Sequence, residues 1–221
     1  MSSITLSLSQ TTASCSNFTL SGSKSMSQRA LIINSLMDDN SSIENLSNSL
    51  DTTILNNCLN SEKKVKNVFN SGTSLRFLLS FYAMSNKSVV LTGDKYLFNR
   101  PIELLISYLN SLGANIIKQE NKILVQSGEI KGGDVTIKFA YTSQFLSSLL
   151  LIAPYLKDGI RLNIYDNMLS QSYVNMTLSM MRKCGVQVEK NDCILHVPES
   201  KYVKPVVLIE SDWTSASYLY L

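Results

Sequence analysis

Histidine is almost absent from this 221-residue chain. The single one, His196, leaves no partner for a histidine-rich metal site or a Ser-His-Asp triad. It falls in a predicted strand, Cys193 to Val197, where a lone histidine packs or faces solvent more often than it acts as a base. Cysteine is also sparse: Cys15, Cys58, Cys184 and Cys193 form no CxxC pair and match no metal framework. They read as reduced thiols, and no metal cofactor is expected. Charged residues make up only 17% of the chain, with a net charge of +3. No basic run and no basic–aromatic interleaving occurs, which argues against nucleic acid, whereas a mild positive charge suits small anionic ligands. Long apolar runs are missing. The best stretch, Phe145 to Leu156, is interrupted by Ser147, Ser148 and Pro154, so no membrane span is expected. Met1 to Gln10 lacks the basic and apolar regions of a signal peptide. The expectation is a cytoplasmic protein with no membrane or nucleic-acid partner.

Apolar residues are plentiful at 44%, enough for a sizeable core. They are arranged in a repeat. Leu104 to Val125 and Met176 to Val197 each read as an amphipathic helix, a glycine, a short strand, a polar turn and a second strand. Gly113 and Gly185 occupy the same place in the pattern, where a helix end calls for a left-handed residue. A degenerate first copy runs through Thr52 to Phe69. Interleaved are helices apolar nearly all round, hence buried: Ser25 to Met37, Thr73 to Met84 and Thr142 to Tyr155. Another helix is predicted to start at Pro101, with proline at its first position. Further strands are predicted at Ser88 to Leu91, Val135 to Phe139, Ile160 to Ile164 and Val206 to Ile209. The fold class is α/β, of the α+β type: three repeated α/β units with parallel helices, and no flexible linker.

Chemistry-bearing residues gather at helix starts. In Ser21 to Arg29 (SGSKSMSQR), Gly22 allows a tight turn and Ser23 or Ser25 can cap. Lys24 and Arg29 then place cations beside free N–H groups, a phosphate- or carboxylate-binding combination. It lacks the Walker spacing, and a capped helix with two solvated cations would read the same way. Asn70 to Arg76 (NSGTSLR) repeats the device. Gly72 permits close approach of an anion, and Arg76 serves either a ligand or an ion pair at the helix edge. Arg100 stands just ahead of a helix, either as a phosphate clamp or as an exposed loop residue. Thr142, Ser143 and Gln144 put three polar groups at the mouth of a buried helix, more than one N-cap needs. Ser170 to Tyr173 (SQSY) stands at the same place in the third unit, where capping alone suffices. If the helices are parallel, these N-termini converge on one face and their dipoles sum into an anion site.

Together these segments resemble 5-enolpyruvylshikimate-3-phosphate (EPSP) synthases. SGSKSMSQRALIINSL is similar to the family's first signature and NSGTSLR to its second. LTGDKYLFNRPIELLISYLNSLGA, TSQFLSSLLLIAP and SDWTSASYLYL follow in family order across the chain. The resemblance implies a two-domain, inside-out barrel fold, of which this chain is the N-terminal half. Residues 21–211 would form one complete domain, with repeats at roughly 21–92, 93–158 and 159–211. Residues 1–20 and 212–221 would belong to a second domain. It implies a monomeric full-length transferase moving the carboxyvinyl group of phosphoenolpyruvate to the 5-hydroxyl of shikimate 3-phosphate. Lys24 would lie between the substrates as the catalytic cation. Lys24, Ser25, Arg29, Thr142, Ser143, Gln144, Ser170 and Tyr173 would bind shikimate 3-phosphate. Lys24, Asn70, Gly72, Thr73, Arg100 and Gln144 would bind phosphoenolpyruvate. The acid/base carboxylates would come from the C-terminal domain, a required partner, so this polypeptide is expected to be inactive alone. A non-catalytic module binding phosphorylated metabolites is the alternative. The sequence departs from the family pattern at Phe77, where proline is common, at Leu50, where an acid is usual, and at Gln171-Ser172, where Lys-Pro is usual.

Overall fold

The structure is a computed structural model and describes residues 19–37, 41–137, 143–164, 171–191 and 193–217. Six long helices come in three pairs: α1 (Lys24–Leu36) with α2 (Leu50–Asn60), α3 (Gly72–Ala83) with α4 (Glu103–Ser111), and α5 (Ser143–Ile152) with α6 (Gln171–Lys183). The first of each pair is the uniformly apolar kind. α1 buries every residue from Ser27 to Asn34, and α3 and α5 are buried nearly throughout. These three touch one another at the centre of the molecule. Buried small hydroxyl residues, among them Ser27, Ser74, Ser80, Ser147 and Ser148, line the contacts. The second of each pair is amphipathic and buries one stripe, as α4 does with Leu105, Ile106 and Leu109.

Two four-stranded sheets cover the helices from outside. One holds β1 (Val65–Asn67), β2 (Val89–Thr92), β3 (Asn115–Gln119) and β4 (Lys122–Gln126) in the order β1-β2-β4-β3. The other holds β5 (Lys131–Ile137), β6 (Lys157–Ile164), β7 (Glu189–Asn191) and β8 (Ile194–Val197) in the order β5-β6-β8-β7. In each, the first two strands are parallel and the hairpin adds antiparallel to the second. Alternation turns Ile116, Ile123 and Val125 of one hairpin, and Leu195 and Val197 of the other, onto the helices. Gly113 (φ 101°) and Gly185 (φ 92°) make the left-handed exits from α4 and α6. The predicted repeat is therefore present in the backbone, as is an α/β fold with its helices inside its sheets.

Three expectations need correction. Val206 to Ile209 is not a strand. It makes one parallel bridge, Leu208 with Glu44, and its backbone is otherwise paired irregularly, Val206 N–H donating to the Asn34 side chain at 2.9 Å. Pro205 ahead of it has no N–H to extend a ladder. Pro101 is not the first helical residue, because α4 starts at Glu103 with Ile102 at the cap. The Ile102 N–H is held by the Glu103 carboxylate at 2.9 Å, which sets the boundary one residue past the proline. The first repeat lacks a hairpin of its own: α2 runs through residues 61–64 straight into β1, which pairs with β2. Residues 138–139, 142 and 192 of the predicted elements lie outside the described residues.

Among the described residues, no helix is long and apolar enough to cross a membrane, and no group of three His, Cys, Asp or Glu side chains could hold a metal. His196 sits on β8 with Nδ1 3.1 Å from the Glu189 carboxylate, a surface pairing. Burial pushes the Cys58 and Cys184 thiols up, Cys184 to about 11, while Cys193 is exposed.

Candidate functional site: a ring of helix N-termini

The first turns of the helices are tied together side by side. Lys24 at the start of α1 reaches Asp51 in the first turn of α2 at 3.0 Å. Asp51 in turn accepts, through its carbonyl, the Ser74 hydroxyl of α3 at 3.1 Å. Gln144 of α5 donates to the Thr73 hydroxyl of α3 at 3.0 Å. The Thr177 hydroxyl of α6 donates to Ser147 of α5 at 2.9 Å. Arg29 of α1 closes the circuit, donating to the Tyr173 carbonyl in the first turn of α6 at 3.2 Å. Contacts of this kind between first and second turns require parallel helices whose N-termini open on one face. Each brings a partial positive charge and N–H groups without intrahelical partners.

Two cationic clusters stand on that face. The first surrounds Gly72. A Cβ on this residue would lie 2.7 Å from Nη1 of Arg76 and 2.9 Å from Nη1 of Arg100. Glycine is therefore what allows two guanidinium groups to sit against the first turn of α3. Arg76 is buried, donates to the Gly72 and Pro101 carbonyls, and lies 5.4 Å over the Phe145 ring. Its Nε has no partner among the described residues. Burial, and then the like charge of Arg100, lower its pKa. Two cations this close, with no carboxylate between them, form a receptor for an anion. Ser71 caps α3 through its side chain, and Phe69 just before it takes a left-handed φ of 49°. An aromatic side chain in that region is a strained choice that reverses the chain into the loop. Asn70 is exposed in this loop, beside the cluster.

The second cluster contains Lys24, whose side chain is half exposed, Ser25 and Arg29. Ser23 is the N-cap of α1 but makes no capping bond with its side chain. Arg29 points inward. Nε donates to Thr177 at 2.7 Å, Nη1 to the Ser25 carbonyl at 2.7 Å, and Nη2 to Ser147 at 3.0 Å. Its carbon Cζ lies 5.6 Å from the Phe77 ring centre, so the Phe77 departure supplies the surface on which Arg29 rests. Burial lowers the Arg29 pKa to about 10, leaving it charged at neutral pH. Ser143 is buried at the first residue of α5, and the Tyr173 side chain is exposed at the first turn of α6. Thr142 and Ser170 lie outside the described residues.

Sequence reasoning missed several groups. Leu50 was marked as lacking the usual acid, yet this turn does present one to the site: Asp51, paired with Lys24. Its signal was legible, an acid in the first turn behind the Ser49 cap. Ser147 and Thr177, which hold Arg29, carry no local signal, because only packing brings them together. Arg76 was visible as a candidate, but its partners turn out to be carbonyls and a ring rather than an ion pair.

A family model described as EPSP synthase (3-phosphoshikimate 1-carboxyvinyltransferase) matches residues 10–61 and 54–221. This chain belongs to the EPSP synthase family. A 3-phosphoshikimate 1-carboxyvinyltransferase of Bacteroides fragilis (strain YCH46) is 33% identical over 207 residues, covering 91% of this chain and 50% of that protein. One from Nitrosopumilus maritimus is 35% identical over 189 residues, covering 75% and 45%. A solved structure of EPSP synthase from Acinetobacter baumannii superposes with a TM-score of 0.74 at 19% identity, covering 91% of this chain and 51% of that one. The chain thus spans about half the length of its EPSP synthase relatives.

Proposed function

We propose that this chain is the part of an EPSP synthase that receives shikimate 3-phosphate and the phosphate end of phosphoenolpyruvate. In this reading Ser25, Ser143, Gln144 and Tyr173, with Thr142 and Ser170, surround shikimate 3-phosphate. Arg29 fixes Ser25 and the α6 turn from behind. Asn70, Gly72, Thr73 and Arg100 take the phosphoenolpyruvate phosphate, with Arg76 bracing the cradle. The carrying observation is that cradle: two guanidinium groups against a glycine at a helix N-terminus, inside a ring of parallel helix starts.

The reaction is addition followed by elimination. The 5-hydroxyl gives its proton to a base and attacks C2 of phosphoenolpyruvate, while an acid protonates C3. In the elimination C3 loses a proton to a base and the C2–O bond to phosphate breaks, so that inorganic phosphate leaves and the double bond is regenerated in the enol ether product. Lys24 stabilises the attacking oxygen and the departing phosphate. To do so its ammonium must leave or share Asp51, which is feasible for a half-exposed pair worth under about 1 kcal/mol. The proton-transferring carboxylates belong to the remaining half of the family's length, so the chain binds but does not turn over alone.

Calorimetric titration with shikimate 3-phosphate, at low and moderate salt, tests this reading. Saturable binding, weakened at least about tenfold in Lys24→Ala and in Ser143→Ala, is expected. No binding by chain shown to be folded would overturn it. Product formation by the purified chain alone would overturn the statement that it cannot turn over.

A further inference from the structure

The far end of the molecule, at the C-terminal ends of α1, α2 and α3, holds a groove of about 870 Å³. Its apolar floor includes Leu31, Leu59 and Phe81, and Ile43 lies on one wall. The fold's own repetition says what such a place is for. In the other two repeats the second helix is followed by a hairpin, β3–β4 or β7–β8, which adds antiparallel to β2 or β6 and covers the helices. In the first repeat α2 passes directly into β1. The Glu44–Leu208 bridge is parallel, like β1 with β2 and β5 with β6. Glu44 therefore stands where β2 and β6 stand, ahead of a left-handed turn at Asn45 (φ 52°), with the hairpin position beside it unfilled by any described residue.

The edge faces the right way. Glu44 N–H donates to the Val207 carbonyl at 2.8 Å, and the Glu44 carbonyl accepts from Ile209 at 3.1 Å. Ile43 lines the groove next to Glu44, and its backbone N–H and carbonyl have no backbone partner among the described residues. The rim carries Lys63, Lys64, Lys66 and Lys87 against a single acid, Glu62. None of the four lysines is in a salt bridge among the described residues. Lys66 is 5% exposed, bonded to the Ser61 carbonyl and lying over the Tyr82 ring. Cations near helix C-termini satisfy those carbonyl ends. That accounts for positive charge here, but not for the partly exposed Leu59 and Phe81 beside an unpaired backbone edge.

We propose that this groove receives an extended peptide segment by strand addition to residues 42–44. The segment alternates apolar residues, seated on Leu31, Leu59 and Phe81, with acidic residues facing the lysine rim. Main-chain pairing would supply affinity, and the alternating side chains specificity. The lysines disfavour a second copy of this chain in the same place, since a two-fold pairing of the edge would set the two rims against each other. The groove lies away from the ring of N-termini, so its occupancy stands or falls independently of the proposed activity.

The test is fluorescence anisotropy of the 221-residue chain with a labelled, end-blocked seven-residue peptide alternating glutamate and valine. Saturable binding is expected, weakened at least about tenfold by Lys64→Glu with Lys87→Glu, with an unchanged melting temperature confirming the fold. Methylating the peptide's alternate backbone nitrogens should abolish it, and a lysine–valine peptide should not bind. Equal binding of the methylated peptide would overturn the proposal. So would insensitivity to the lysine changes, or no binding by folded chain. Displacement by inorganic tripolyphosphate without any need for peptide N–H groups would mark a small-anion site instead and also overturn it.

Discussion

Gly72 is where one atom decides the site. A methyl group there would overlap Nη1 of both Arg76 and Arg100, so the guanidinium groups must draw back from the helix start to make room for it. Gly72→Ala should therefore weaken phosphoenolpyruvate binding at least about tenfold, or about 1.4 kcal/mol. The chain's melting temperature should hardly move. Calorimetry with each ligand checks this: a larger loss for shikimate 3-phosphate than for phosphoenolpyruvate would place the cradle on the wrong substrate. Asp51 and Phe77 show a second feature of this scale. Neighbouring residues answer for apparent departures, since Asp51 supplies an acid beside Leu50 and Phe77 gives Arg29 a ring to lie on.

Elements end where backbone geometry makes them end. α4 and α6 both stop at a glycine with positive φ, and each hairpin begins two to four residues later. At Gly185 a Cβ would also lie 2.3 Å from the Val203 side chain. Gly185→Ala should cost about 1 kcal/mol or more, seen as a fall in melting temperature of about 2–4 °C per kcal/mol for a chain of this size. An unchanged transition would mean that the turn can be rebuilt without a left-handed residue. The same scale explains why Val206 to Ile209 misled. Its apolar, β-branched composition fits a strand, but strand ladders need a partner. Here the partner is one residue, Glu44, with Asn34 supplying the next bond.

At the scale of the molecule, Arg29 links three helices across the ring, α1 to α5 and α6. It is buried with its guanidinium donors on hydroxyls and carbonyls. Arg29→Ala should remove those bonds and leave a cavity, costing about 2–5 kcal/mol in denaturant unfolding. The transition should stay single and cooperative, because the central helices share one core. A loss under about 1 kcal/mol, with shikimate 3-phosphate binding abolished, would show instead that this arginine serves the ligand alone.

The sequence by itself determined the long helices, the two hairpins after α4 and α6, the left-handed exits at Gly113 and Gly185, and which helices are buried, because these depend on local periodicity and single-residue backbone preference. It also showed where the cations and glycines of the site lie, since each sits at a helix start with its own short signature. Only the tertiary structure decided what those groups face. Lys24 meets Asp51, Arg29 meets Ser147 and Thr177, and Gly72 meets two arginines. Such pairs join residues distant in sequence, and no local pattern encodes their contact. The hairpin position left unfilled by the described residues showed in the sequence only as a degenerate first copy at Thr52 to Phe69, because a shortened element leaves few residues to read. It emerged only when the two complete repeats could be laid beside the first.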